Sequence, residues 1–441
     1  MSTPGVSALR IFTILLLLNA CKTSGPGIFG KKTPHEQYGD KLVSAGLRST
    51  ALGDLWFRVA EQSLSSPLSI TVPYKETGYF PPDRPMATGL RFNALRGQKL
   101  SISVEKKPAI NFAVYIDLWK AGDGNNQPKH ITAADTTTNS LQHEVTETSQ
   151  YILRLQPELL SSGEFTVTIT AGPALAYPIK APGRDHIKSF WGANRDGGAR
   201  KHEGVDMFAA RGTPVLAAAD GRVTKVTETA IGGKVVWVRV KDRDYTLYYA
   251  HLDSQLVTDG QQVRTDDTLG LMGNTGNASS TSPHLHFGIY TSSGPIDPLA
   301  FINPVNMLPD DISAPTRLLG KLARVSNPSS ELRPEPRNNT SGTVRVPLNT
   351  PVMIEAATST WYKVSLPNGL RGFIKKSALQ QIEKPVRTFF LETTLPLLEK
   401  PDSLAAKKTS IPTGEPVDIL GNFEDHYLVK TRENITGWIA K

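Results

Sequence analysis

The stretch Pro283-His284-Leu285-His286-Phe287 reads as part of an apolar β-strand that carries two imidazoles. Residues two apart in a strand point to the same face, so His284 and His286 project together. Two imidazoles side by side in a plain core are costly, because each buried ring nitrogen needs a partner. A shared metal ion removes that cost. Histidine is also unevenly placed: of nine in 441 residues, four fall between positions 202 and 286.

Working outward, the other two lie in His202-Glu203-Gly204-Val205-Asp206 and in Tyr249-Ala250-His251-Leu252. His and Asp supply the nitrogen and oxygen ligands that zinc accepts. Read alone, His202-Glu203-Gly204-Val205-Asp206 resembles an H-E-x-x-H helix with Asp as second ligand and Glu203 as base. Gly204 in its middle, and Ala-Ala-Arg-Gly-Thr-Pro from position 209, leave too little helix for that motif. Gly270-Leu-Met-Gly-Asn-Thr-Gly276 has no lysine and opens no helix, so it suits a tight β-turn better than a phosphate cradle.

Taken in order, the motifs are H-x-G-x-D, Gly212-Thr-Pro-Val-x-Ala-Ala through Val223, Tyr249-x-His-Leu, Leu269-Gly-x-x-Gly-x-Thr-Gly and Pro-His-Leu-His-Phe. Together they resemble the lysostaphin/LytM-type zinc metallopeptidases over residues 185 to 302. The resemblance implies an open antiparallel β-sheet lining a groove. It implies that His202, Asp206 and His286 bind Zn2+, while His251 and His284 are the catalytic histidines. Three protein ligands would leave a tetrahedral zinc one open position for water. Three departures touch no ligand: Ser282 stands where Gly is usual, Asp267 replaces a common Gly, and Gly288 stands where Glu is frequent.

The rest of the chain reads as mainly β and multidomain. The 36 Gly and 32 Pro favour turns, and short alternating runs such as Leu100-Ser-Ile-Ser-Val recur. An antiparallel β-sandwich is expected over 69–174, the open-sheet metallopeptidase domain over 180–305, and two small SH3-like barrels over 315–381 and 386–441. Pro-rich joints at Tyr177-Pro-Ile-Lys-Ala-Pro and Asn303-Pro-Val-Asn-Met-Leu-Pro mark boundaries.

Residues 1–20 read as a lipoprotein signal peptide. Arg10 precedes the run Ile11 to Leu18, which is too short to span a bilayer. Leu18-Asn-Ala-Cys21 resembles a lipobox, and Cys21 is the chain's one cysteine. The thiol is therefore expected to carry the lipid. Residues 21–68 form a tether with a short helical segment from about His35 to Phe57.

The net charge of +8 is dispersed, with no long basic run, so nucleic acid is not expected as a partner. The expected partners are peptidoglycan and, through lipidated Cys21, a membrane. The sequence thus predicts a membrane-anchored bacterial envelope lipoprotein facing the periplasm, a zinc endopeptidase of peptidoglycan stem peptides or crosslinks. The alternative is a catalytically silent family member that binds wall and activates other hydrolases. A zinc-carrying structural lipoprotein is a third possibility. All five site residues are present, which favours the enzyme.

Overall fold

The structure, a computed structural model, describes residues 32–124, 126–181, 183–304 and 307–441. The signal stretch 1–20 and Cys21 lie outside the described residues. The fold is mainly β, built from several antiparallel sheets. Among the described residues no helix is long and apolar enough to cross a membrane.

Two helices lead the described chain, Pro34–Ser44 and Ala51–Ser65. Thr33 caps the first, with Glu36 completing a capping box and Pro34 at the first turn. Their buried side chains, His35 and Trp56, stack at 4.7 Å and pack on Tyr115 of the sheet beneath.

That sheet has five strands, in the order Leu68–Ser69, Thr88–Ala94, Ser149–Pro157, Val114–Lys120 and Lys129–Ala133. The short first strand pairs in parallel and every other neighbour antiparallel. A second sheet closes the sandwich through Ser140–Glu144, Gln98–Lys107, Gly163–Pro173 and Tyr74–Phe80. Leu90, Leu100, Leu153 and Val167 fill the space between them with no exposed surface.

The second sheet does not stop there, but runs on into strands from the 315–381 region. Thr77 pairs with Ala357 and Gly78 with Ala356, so Pro351–Ala357, Trp361–Ser365 and Arg371–Lys375 extend the same sheet. The edge of Tyr74–Phe80 would otherwise present unpaired backbone groups, and this pairing covers part of it. Trp361 and Phe373 reach into the sandwich core. Gly78 leaves room for the Phe165 ring of the neighbouring sandwich strand, because a Cβ there would stand 2.4 Å from it. The last strands, from Arg387–Phe390 to Thr436–Ala440, form their own six-stranded sheet over Leu397, Ile419, Val429 and Ile439.

The third sheet carries the histidine-rich region. Its strands run Ile187–Ser189, Val205–Phe208, His284–Thr291, Tyr245–Gln255, Gly233–Val240, Gly221–Thr229 and Gln262–Val263, all antiparallel. Alternation sorts each strand by face. Val205, Met207, Leu285, Phe287, Leu247 and Val238 are fully buried on one side. Asp206, His284, His286, Tyr248 and Trp237 fall on the other, which lines an open groove of about 950 Å³.

Candidate metal centre and groove

Strand register brings the distant motifs together. Asp206 pairs with His286 and Phe208 with His284, while Ala250 flanks His286 on the other side. His202 enters from the turn before Val205–Phe208. Three ligand atoms then converge: His202 Nε2 lies 2.9 Å from Asp206 Oδ1 and 3.0 Å from His286 Nδ1. His286 Nδ1 lies 3.0 Å from the same Asp206 oxygen. Among the described residues this trio is the one group placed to hold a metal ion.

The donor chemistry fits a cation. His202 Nδ1 lies 2.9 Å from the Phe190 carbonyl, which can only accept, so the ring proton sits on Nδ1. In the neutral ring, Nε2 then offers a lone pair to a carboxylate oxygen that is also an acceptor. Two such acceptors at 2.9 Å need a positive centre between them. Three atoms at these separations approach the edge of a zinc tetrahedron, about 3.3 Å for bonds near 2.0 Å.

Burial alone would raise the Asp206 carboxyl, but the adjoining His202 and His286 rings outweigh it and hold the group well below the usual carboxylate range. It therefore stays an anion. Burial lowers His286, against the pull of the same carboxylate.

Asp206 has a second support that the sequence reading missed. Arg195 Nη2 donates to Asp206 Oδ2 at 2.7 Å and to Ser189 Oγ at 2.7 Å. It sits in a small hairpin in which Asn194–Arg195 pairs with Arg200–Lys201. Arg195 thus occupies one carboxylate oxygen and leaves Oδ1 for the centre. An isolated arginine seven positions before His202 gives no periodic signal. Arg195→Gln is expected to weaken zinc affinity roughly 10- to 100-fold, the usual effect of losing such an outer partner. Competition with a calibrated chelator measures it, and an unchanged affinity would remove Arg195 from this role.

His251 and His284 stand next to the trio, with ring centroids 4.9 Å apart and His251 6.0 Å from His286. Each has Nδ1 on a carbonyl, His251 on Thr275 and His284 on Ser282, both at 2.9 Å. Their Nδ1 protons are thereby fixed and each Nε2 lone pair is left free. Burial pushes His251 down to about 4 despite the Thr275 carbonyl, so the ring is neutral at neutral pH. Its backbone sits at φ 63, a left-handed conformation rare for a residue with a side chain. Such strain gathers where geometry is imposed for function. The stretch 270–276 expected as a tight turn is in fact a strand end, Thr268–Met272, and a loop whose Thr275 carbonyl orients His251.

Residues 200–298 match the family model described as Peptidase family M23, and the chain carries a LytM-type domain of that family. A Haemophilus influenzae protein called an uncharacterized metalloprotease is 40% identical over 136 residues, covering 30% of this chain and 28% of its own length. The uncharacterized lipoprotein YgeR of Escherichia coli is 37% identical over 115 residues, 26% of this chain and 43% of its own. The peptidoglycan DD-endopeptidase ShyC of Vibrio cholerae is 38% identical over 91 residues, 21% of this chain and 20% of its own. The chain thus spans less than half the length of each of these relatives.

Proposed function

We propose that this protein is a zinc metalloendopeptidase that hydrolyses amide bonds in peptidoglycan stem peptides or crosslinks. The observation that carries the reading is the meeting of His202 Nε2, Asp206 Oδ1 and His286 Nδ1 within 3.0 Å, beside two further imidazoles. Relatives named for metalloprotease and peptidoglycan endopeptidase activity support the substrate class.

His202, Asp206 and His286 would hold the metal, with Asp206 supplying the negative charge and Arg195 fixing its orientation. A bound zinc would supply Lewis acidity to the scissile carbonyl and to a water. The chain's own part is proton management. His251 and His284, with free Nε2 lone pairs, flank the reacting centre. One takes the proton of the attacking water on Nε2, and a ring protonated there can stabilise the developing oxyanion and protonate the leaving amine. The open groove admits an extended strand of substrate. Release of soluble muropeptides from purified sacculi, abolished by a chelator and restored by zinc, tests this function. Sacculi left intact by zinc-loaded protein would refute it.

The same reading places the protein in the bacterial envelope, facing the periplasm and anchored through a lipid on Cys21, with the C-terminal units presenting wall substrate. A relative named as a lipoprotein supports the anchoring. Cys21→Ser is expected to shift the protein from the detergent-soluble membrane fraction to the soluble fraction. An unlipidated wild-type chain, read by intact mass, would remove the anchor.

A further inference from the structure

The groove continues beyond the metal trio along the sheet, and its residues fall in register. Asp206, His286 and Ala250 form one row across three strands. The next row is Gly288, Tyr248, Trp237 and Lys225. The row after that is Tyr290, Thr246 and Arg239. Two steps along a strand separate the first row from the third, roughly 13 Å, the length of about four extended residues.

The middle row is an aromatic platform. Trp237 lies 4.3 Å from Tyr248 and 5.1 Å from Tyr290, and Tyr248 meets His286 edge-on at 5.8 Å. Gly288 allows this closure, since a Cβ there would stand 2.9 Å from the Tyr290 ring and 3.2 Å from the Glu203 carbonyl. Trp237 and Tyr290 line both the metal groove and a second hollow of about 810 Å³, which makes the two continuous.

The far end of that hollow is basic. Lys225 and Arg239 are exposed, and among the described residues neither makes an ion pair. Arg222, the cross-strand neighbour of Arg239, donates to the Gly260 carbonyl. Two acidic groups stand nearby. Asp244 stands in the wall of the hollow, and Glu203, near the platform, accepts from the Tyr290 hydroxyl at 3.3 Å. An aromatic floor ending in unpaired cations suits a peptide that lies extended on the sheet and carries a carboxylate a few residues from the bond being cut.

We propose that Lys225 and Arg239, with the Trp237–Tyr290 platform, form a subsite for a free carboxylate of an acidic wall peptide lying along the groove. The proposal rests on the reading of the chain as a peptidoglycan endopeptidase and deepens its substrate specificity. Charge-assisted hydrogen bonds from two cations give a discrimination of roughly tenfold or more between a carboxylate and its amide.

The test is equilibrium binding to the full chain of two soluble muropeptides that differ in one respect, free stem-peptide carboxylates or the same carboxylates amidated. Wild type is expected to bind the free form at least about tenfold tighter. Lys225→Gln combined with Arg239→Gln should close the gap, and Arg239→Glu should reverse it. Equal affinity for the two forms in wild type, no binding of either, or a gap that survives in the double variant would each overturn the subsite. Failure of the parent reading shows differently: intact sacculi with the binding preference preserved would sink the peptidase and leave the subsite standing.

Discussion

Alanine at His202, Asp206 or His286 is expected to drop zinc far below one ion per chain, whereas alanine at His251 or His284 leaves it near full occupancy. The first three place their ligand atoms within 3.0 Å of one another, and removing any one leaves two. Thermal stability should fall with the metal, because binding to the folded state alone adds to folding free energy. His251 and His284 point their pinned Nδ1 atoms away to the Thr275 and Ser282 carbonyls, so their loss removes proton transfer and not coordination. Turnover should then fall by roughly 10²- to 10⁴-fold with zinc retained. Elemental analysis beside muropeptide release separates the two classes. Zinc lost from His251→Ala, or kept by His286→Ala, would break this division of roles.

The second large effect concerns the sheet shared by the sandwich and the first C-terminal unit. Lys363 Nζ and Glu76 Oε1 meet at 2.5 Å with side chains 1% and 0% exposed. The Tyr74 hydroxyl donates to the other Glu76 oxygen at 2.7 Å, and Thr358 ties to the Lys75 carbonyl at 2.7 Å. Nearby, Arg371 grips buried Glu355 at 2.7 Å. Burial would raise Glu355, but Arg371 and then Lys363 hold it lowered.

Lys363→Met removes the cation from this junction and leaves Glu76 buried without its partner. The expected cost is about 3–5 kcal/mol, because an uncompensated buried charge is far worse than the intact pair is good. Replacing both, as Glu76→Leu with Lys363→Met, should recover most of that loss. Denaturant titration of the three variants measures it. A single variant within about 1 kcal/mol of wild type would show that water reaches the pair.

This junction also marks where local sequence is silent. Tyr74–Phe80 and Pro351–Ala357 form strands, and a strand's edge hydrogen bonds in either of two directions. Residues about 280 positions apart meet there because each edge needs a partner, and no periodicity encodes the choice.

Sequence alone discloses the strand nature of His284–Phe287, the shared face of His284 and His286, and the mainly β character of the chain. Those follow from a side-chain period of two and from turn-rich composition, both local properties. The three-dimensional arrangement supplied the rest. It set Asp206 opposite His286, turned His251 inward through a left-handed backbone, and brought Arg195 onto the free carboxylate oxygen. It also gathered Trp237, Tyr248 and Tyr290 from three strands into one floor. Each of these depends on inter-strand register or loop closure, which is settled by burying one face of the whole sheet at once.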